Sequence, residues 1–389
     1  MASGSEVGGS RVGLAVVARE WLRIGVTGFG GPPTHIRMLR DLCVQRHGWI
    51  DDEEFEHAIA TCNLLPGPAS TQLSIFCAWR VAGPAGAVVG GLCFVVPGLV
   101  VILALAALFL AGHPPKWLSG AAAGAGAAVA VVAVHAAWGL TPASWRRRAN
   151  PWRWSLYVVV GAVSAATVGP WVVAVLLGCG AIELMAQSAT TARPTGSPGV
   201  LAVTPVAGGL SVGVLASVSW VAFKVGALSY GGGFVIVPLM QADAVGRYHW
   251  MTPGQFLTAV AAGQVTPGPV THTVSVVGYA AAGLLGGLVA AVVAFSPSFL
   301  FVLVGARHFD ALRNNLRART FLDGSGPAAI GAIFGSAIPL TRALTQPWQY
   351  LVLVAAAVGL LVLRRGVVGT LVVAGVVGAV LALAGVATG

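Results

Sequence analysis

The chain has 389 residues, 57% of them hydrophobic and only 9% charged, with a mean hydropathy of +0.85. Soluble domains carry about 25% charged residues, so a soluble enzyme, a secreted disulfide scaffold and a disordered chain are excluded together, leaving a polytopic membrane protein. The formal charge of +10 sits on arginines clustered in short loops, the pattern of cytoplasmic loops and not of a nucleic-acid surface.

At about 20 residues per crossing the length allows about ten crossings. The first apolar stretch is cut short by Arg19 and Glu20, so a cleaved signal peptide is not expected. A glycine-rich segment follows, then a loop over 37–56 with Arg37, Arg40 and Arg46 beside Asp51, Asp52, Glu53, Glu54 and Glu56. Those acids read as a solvated helix start. The next apolar run, 57–79, is broken by Pro66-Gly67-Pro68. Further runs cover about 85–111, 119–139, 155–186, 201–240, 256–304, 326–341, 348–363 and 366–388. Several are too long for a single crossing and must hold two, or one crossing plus a broken piece. A polar linker, Gln187–Gly199, divides the chain nearly in half. Residues 1–187 are read as one repeat, 188–199 as linker and 200–389 as a second repeat.

The halves are related at a constant offset of 201. Between 23–72 and 224–273, 12 of 50 pairs are identical without a gap, among them Gly30-Gly31 with Gly231-Gly232, Trp49 with Trp250, and Pro66-Gly67-Pro68 with Pro267-Gly268-Pro269. Such a repeat in a membrane protein points to transporter-like pseudo-symmetry. Loop 141–153 holds Arg146, Arg147, Arg148 and Arg153, whereas its partner near 342–354 holds only Arg342. Loop 305–319 holds Arg307, Arg313, Arg317 and Arg319, whereas its partner 112–118 holds only Lys116. Equivalent loops thus carry opposite biases, which predicts an inverted repeat. The basic loop 37–56 fits this hand only if the run 57–79 is re-entrant, a form tolerated where backbone is buried in protein or lines a wet cavity. The fold expected is an all-α polytopic membrane protein of two homologous halves, with about ten to twelve helical segments including broken and re-entrant ones.

Two constellations recur. Gly30 and Gly31, followed by Pro32, Thr34 and His35, are matched by Tyr230, Gly231 and Gly232. Each glycine costs a helix about 1 kcal/mol against alanine, so the pair unwinds the helix and exposes amides as an anion-binding nest. The second constellation places Ser70, Thr71 and Gln72 after Pro66-Gly67-Pro68, and Thr271 and His272 after Pro267-Gly268-Pro269. The prolines stop one helix and leave these side chains as neutral donors in the first turn of the next. Arg23 and Lys224, equivalent cations near the breaks, complete the expected anion site. The alternative is that these motifs only permit close packing and kinks; two motifs at one offset favour the binding reading. His35 and His272 are not symmetry partners and are open to a proton-linked or a packing role. His135 and Glu183 are read as interface or helix-end residues, and Trp49 and Trp250 as boundary indoles.

The five cysteines show no metal-ligand spacing and are expected as packed thiols. No phosphate-binding loop, HExxH or Ser/His/Asp arrangement is visible, so neither an ATP-driven pump nor an enzyme is expected, and no cofactor or metal.

Phe29–Leu39, the loop ending in Trp49, Leu64–Leu73 and Phe94–Gly98 resemble the chromate ion transporter family, and the second half repeats the pattern more loosely. The resemblance spans essentially the whole chain. It implies a bacterial inner-membrane protein of two homologous halves that exports chromate, confers resistance and is related to sulfate handling. The family's motif residues fall on Phe29, Gly30, Gly31, Pro32, His35, Pro66, Gly67 and Pro68, and in the second half on Gly231, Gly232, Pro267, Gly268 and Pro269. Gly233 and Ile236 replace the proline and histidine there. Chromate is the expected substrate, with a sulfate or other oxyanion carrier as the alternative. Membrane lipid is the expected surrounding, and a homodimer is compatible with the sequence.

Overall fold

Backbone in hydrocarbon must satisfy its own hydrogen bonds, which leaves helix as the form open to these apolar runs. The computed structural model describes residues 12–63, 65, 67–110, 114–148, 150–167, 172–190, 210–229, 236–305 and 315–387, and among them every regular element is helical. The first half contains α1 (Leu14–Thr27), α2 (Pro32–Arg40), α3 (Asp52–Cys62), α4 (Ala69–Phe109), α5 (Lys116–Arg147), α6 (Pro151–Thr167) and α7 (Val172–Thr190). The second contains α8 (Leu210–Leu228), α9 (Ile236–Gln241), α10 (Pro253–Val265), α11 (Thr273–Gly305), α12 (Leu316–Arg342), α13 (Pro347–Ala357) and α14 (Val367–Leu383). The long run 155–186 is thus two helices, and 256–304 holds α10, a proline turn and α11.

The repeat reaches atomic detail. Both α2 and α9 run into a π-helical turn, at Asp41–Arg46 and Ala242–Arg247. The chain then reverses through a left-handed residue, Gly48 at φ 59° and His249 at φ 53°. Trp49 N–H donates to the Cys43 carbonyl and Trp250 N–H to the Ala244 carbonyl, both at 2.8 Å. Each indole stacks on the ring two residues before it, His47 at 4.1 Å and Tyr248 at 4.5 Å. Asp51 caps α3 by accepting from Glu54 N–H at 2.7 Å, and Thr252 caps α10. The acids of this loop do start a helix, and they are also paired: Arg40 bonds Asp52 and Glu56, and Arg80 bonds Glu54.

The Arg80–Glu54 pair fixes the path of the broken run. α4 bends at Gly83 (φ 71°, ψ −162°), and its first leg, 69–82, reaches only about 21 Å at 1.5 Å per residue. Arg80 ends that leg and Glu54 begins α3, so the chain enters and leaves on one face with the proline turn at its tip. This is the re-entrant path that the loop charges require. After the bend α4 folds back along its own first leg, close enough that a Cβ on Gly91 would come within 2.9 Å of Ile75. α11 repeats the bend at Gly283 (φ 61°, ψ −155°).

Equivalent helices run in opposite directions. Gly91 of α4 packs on Phe299 of α11, while Leu103 packs on Gly287, which makes these two partners antiparallel. The end of α5 meets the start of α12, where the Arg147 charge acts on Asp323. On the same face Thr320 donates to Gln187 at 2.9 Å and Arg153 bonds Glu183 at 3.0 Å. The ends of α5 and α12 that carry Arg146, Arg147, Arg317 and Arg319 therefore lie together, and the repeat is inverted. Small residues close the interfaces: Gly331 and Gly335 of α12 press on the backbone of Val158 and Ala162 in α6. Large apolar side chains such as Val292, Leu300, Leu351 and Val362 face outward, as lipid contact demands. Cys43, Cys62, Cys77 and Cys179 are buried free thiols.

In a cysteine-free background, single cysteines at Arg146 and Arg317 should be labelled by an impermeant thiol reagent from the same side of the membrane. A cysteine at Thr345, past the far end of α12, should be labelled from the other side. Labelling of 146 and 317 from opposite sides would disprove the inverted arrangement.

Candidate functional site

α1 stops where Gly28, Gly30 (φ 102°) and Gly31 (φ 73°) turn the chain, and Pro32 and Pro33 open α2, where a missing N–H costs nothing. Thr34 follows with its hydroxyl over Gly30. The two proline-flanked turns each pivot on a left-handed glycine, Gly67 at φ 126° and Gly268 at φ 89°. Pro68 is the N-cap of α4, and Pro269 precedes a 3₁₀ turn, Val270–His272, that leads into α11; neither cap offers a side-chain hydrogen bond. The first amides of both helices thus lack the usual cap.

These breaks meet across the two halves. The Gly28 carbonyl accepts from Gly268 N–H at 3.0 Å and from His35 Nε2 at 2.8 Å. That bond puts the proton on Nε2 and leaves Nδ1 to accept from the Ser70 hydroxyl at 3.3 Å. His35 stands edge-on to Phe94 at 5.0 Å, and His272 edge-on to Phe295 at 5.1 Å. Phe94 and Phe295 are related by the offset of 201, although the histidines are not. Pro267 closes the crossing with its carbonyl against Gly98 of α4. Ser229 and Thr271, equivalents of Gly28 and Ser70, lie 3.4 Å apart at their hydroxyls. Gly31 faces Val270, so the first-half break also touches the second-half turn.

The cluster is sealed. Ser70, Thr71, Gln72, Ser74, Thr271, His272, Thr273, Ser275 and Ser298 are each at most 2% exposed. The hydroxyls of Thr71, Ser74, Ser275 and Ser298 have no hydrogen-bond partner among the described residues. A buried polar group left unpaired costs about 1–3 kcal/mol, so these hydroxyls are the candidates for contact with a polar ligand. No aspartate or glutamate belongs to these turns. A surface groove of about 390 Å³ beside His249, Trp250 and Thr252 lies at the other end of α10 and is not part of this cluster.

The two expected cations part ways. Arg23 projects from the exposed side of α1 and is not drawn into the cluster. Lys224 is half-buried and bonds the carboxylate of Asp243, which is 2% exposed. Asp243 has Leu42 as its equivalent, so the repeat gave no hint of it. Tyr230, Gly231, Gly232 and Pro66 lie outside the described residues. Glu183 is more than a helix end: Arg153, Tyr157 and Gln187 all bond it. Ser74, Ser275 and Ser298 fall outside both sequence motifs, although Ser74 and Ser275 are related by the same offset of 201.

The sequence profile of the chromate transporter family matches residues 15–184 and 216–387. The chain belongs to the chromate transporter family. Its relatives include the chromate transport protein of Cupriavidus metallidurans, 32% identical over 85% of this chain and 83% of its own. The probable chromate transport protein of Synechococcus elongatus is 29% identical over 85% of each chain. The chromate transport protein of Pseudomonas aeruginosa is 30% identical over 84% of this chain and 81% of its own. No solved structure matches significantly. For a member of this family the matched blocks coincide with the inverted halves and skip the segment around the polar linker.

Lys224→Met should leave Asp243 as an uncompensated buried charge and cost about 3–5 kcal/mol. Thermal unfolding in detergent should show that loss, and the double variant Lys224→Met/Asp243→Leu should recover most of it.

Proposed function

We propose that this protein carries chromate outward across the bacterial cytoplasmic membrane as a secondary transporter and so confers chromate resistance. The observation that carries this reading is the sealed cluster of neutral donors where interrupted helices from two opposed halves cross. Chromate is a compact tetrahedral dianion, and hydroxyls, free amides and helix N-termini are the groups that bind such an ion. They do so without a permanent cation at the centre, which would slow release. Three relatives of nearly full-length overlap are named for chromate transport, and this supports the choice among tetrahedral anions.

The driving force is sufficient without ATP. Moving two negative charges outward across 100 mV, negative inside, releases about 4.6 kcal/mol. That corresponds to a concentration ratio of roughly 2,000 at equilibrium. Opposed, pseudo-symmetric halves suit alternating access, in which the sealed cluster opens to one face and then to the other. Sulfate has the same shape and charge and is the expected competitor.

Proteoliposomes loaded with chromate should release it faster under an imposed inside-negative potential. Release should saturate with chromate concentration and fall in excess sulfate. Flux without saturation would indicate a channel, and no potential-dependent flux would overturn the reading.

A further inference from the structure

The two proline-flanked turns are equivalent in sequence but not in what surrounds them. At the second-half turn, Gly268 N–H is already bonded to the Gly28 carbonyl at 3.0 Å. The groups beside Gly268 are also not donors suited to an anion: an imidazole ring and a carbonyl line it. The His272 ring lies 3.2 Å, and the Phe94 carbonyl oxygen 3.5 Å, from where a Cβ on Gly268 would sit. A carbonyl oxygen at that spot repels an anion.

At the first-half turn the Gly67 amide has no acceptor among the described residues. What stands beside it are donors: the Gln72 side-chain amide nitrogen, 2.5 Å from where a Cβ on Gly67 would sit, and a hydroxyl from the other half. Ser298 Oγ of α11 lies 3.1 Å from where a Cβ on Gly67 would sit, fully buried and unpartnered. The equivalent of Ser298 in the first half is Pro97, which has nothing to donate. Thr71 Oγ1, likewise buried and unpartnered, lies in the first turn of α4, whose N-terminal end carries partial positive charge.

We propose that the turn Gly67–Thr71 and Ser298 form a single site for a tetrahedral oxyanion, built from both halves, and that the second-half turn, its amide already bonded across the halves, is a joint and not a second site. The Gly67 amide and the hydroxyls of Thr71 and Ser298 are three neutral donors for three of the anion's oxygens. Assigning chromate as the physiological occupant rests on the transport reading; the site itself rests on the donors. The glycine at 67 is required twice, by its φ of 126° and because a Cβ there would collide with the Gln72 side-chain amide.

The test is isothermal titration of the purified full-length protein in detergent with potassium sulfate and, separately, potassium chromate, alongside chromate flux in proteoliposomes. The wild type should bind one equivalent of anion per chain. Ser298→Ala should raise the dissociation constant about tenfold, as expected for losing one hydrogen bond to a charged group. Ser298→Thr, which keeps the hydroxyl, should stay within about twofold of wild type. Ser164→Ala removes another buried, unpartnered hydroxyl, on α6, and should change nothing. Two equivalents per chain, or unchanged affinity in Ser298→Ala, would overturn the single site while leaving chromate flux to stand by itself. Ser298-dependent sulfate binding in a chain that moves no chromate would keep the site and discard chromate as cargo. No binding of either anion by the wild type would overturn both.

Discussion

The constraint on which this structure depends is that interrupted backbone inside a bilayer must find partners in other parts of the protein. At the centre of the molecule that partner is the opposite half: Gly28 ends α1 with a carbonyl that no helix uses, and Gly268 N–H of the second-half turn takes it. His35 bonds the second lone pair and links the same carbonyl to Ser70. Neither break can be buried alone, because each would leave polar backbone in hydrocarbon at several kcal/mol per group. The inverted duplication answers this by bringing complementary interruptions to one point.

Around that point the symmetry is strict where it serves geometry and relaxed where it serves chemistry. The π-helical turns, the stacked indoles and the capped starts of α3 and α10 superpose at one offset, since they aim the helices that end in the proline turns. The polar side chains do not follow it. His35 has Ile236 as its equivalent, His272 has Thr71 and Ser298 has Pro97. The charged residues diverge as well: Lys224 keeps a buried partner in Asp243, whereas Arg23 is exposed. Two halves that bind one ion between them, as proposed, would need only a shared frame, not the same donors.

Much of this was legible in the sequence, for identifiable reasons. Hydropathy and the loop arginines gave the helical class and the inverted hand because bilayer physics acts on composition directly. The double motif gave the breaks because glycine and proline change backbone geometry wherever they stand. The re-entrant path of α3 and the first leg of α4 followed from charge bookkeeping, and the Arg80–Glu54 bond is its physical expression. What could not be read was pairing across distance. Nothing near Lys224 in sequence announces Asp243, and nothing marks Ser298, one serine among many in an apolar helix, as the neighbour of Gly67. The exposed position of Arg23 was equally hidden, since an arginine one turn from a break can point to either side of its helix.

The unpaired hydroxyls bear on how such a site would work as well as on what it holds. Sealing Thr71, Ser74, Ser275 and Ser298 away from water costs about 1–3 kcal/mol for each hydroxyl left without a partner. A closed, empty site is therefore penalised relative to one open to solvent, where water can bond the same groups. An oxyanion seated among them supplies acceptors and removes much of that penalty. Closure then depends on occupancy through the differential affinity of the ion for the sealed state, the one quantity by which a ligand can shift a conformational equilibrium. A fixed cation at the centre would act in the opposite sense, holding the ion too well in every state. At the proposed site, neutral donors of this kind would couple binding to closure without trapping what is bound.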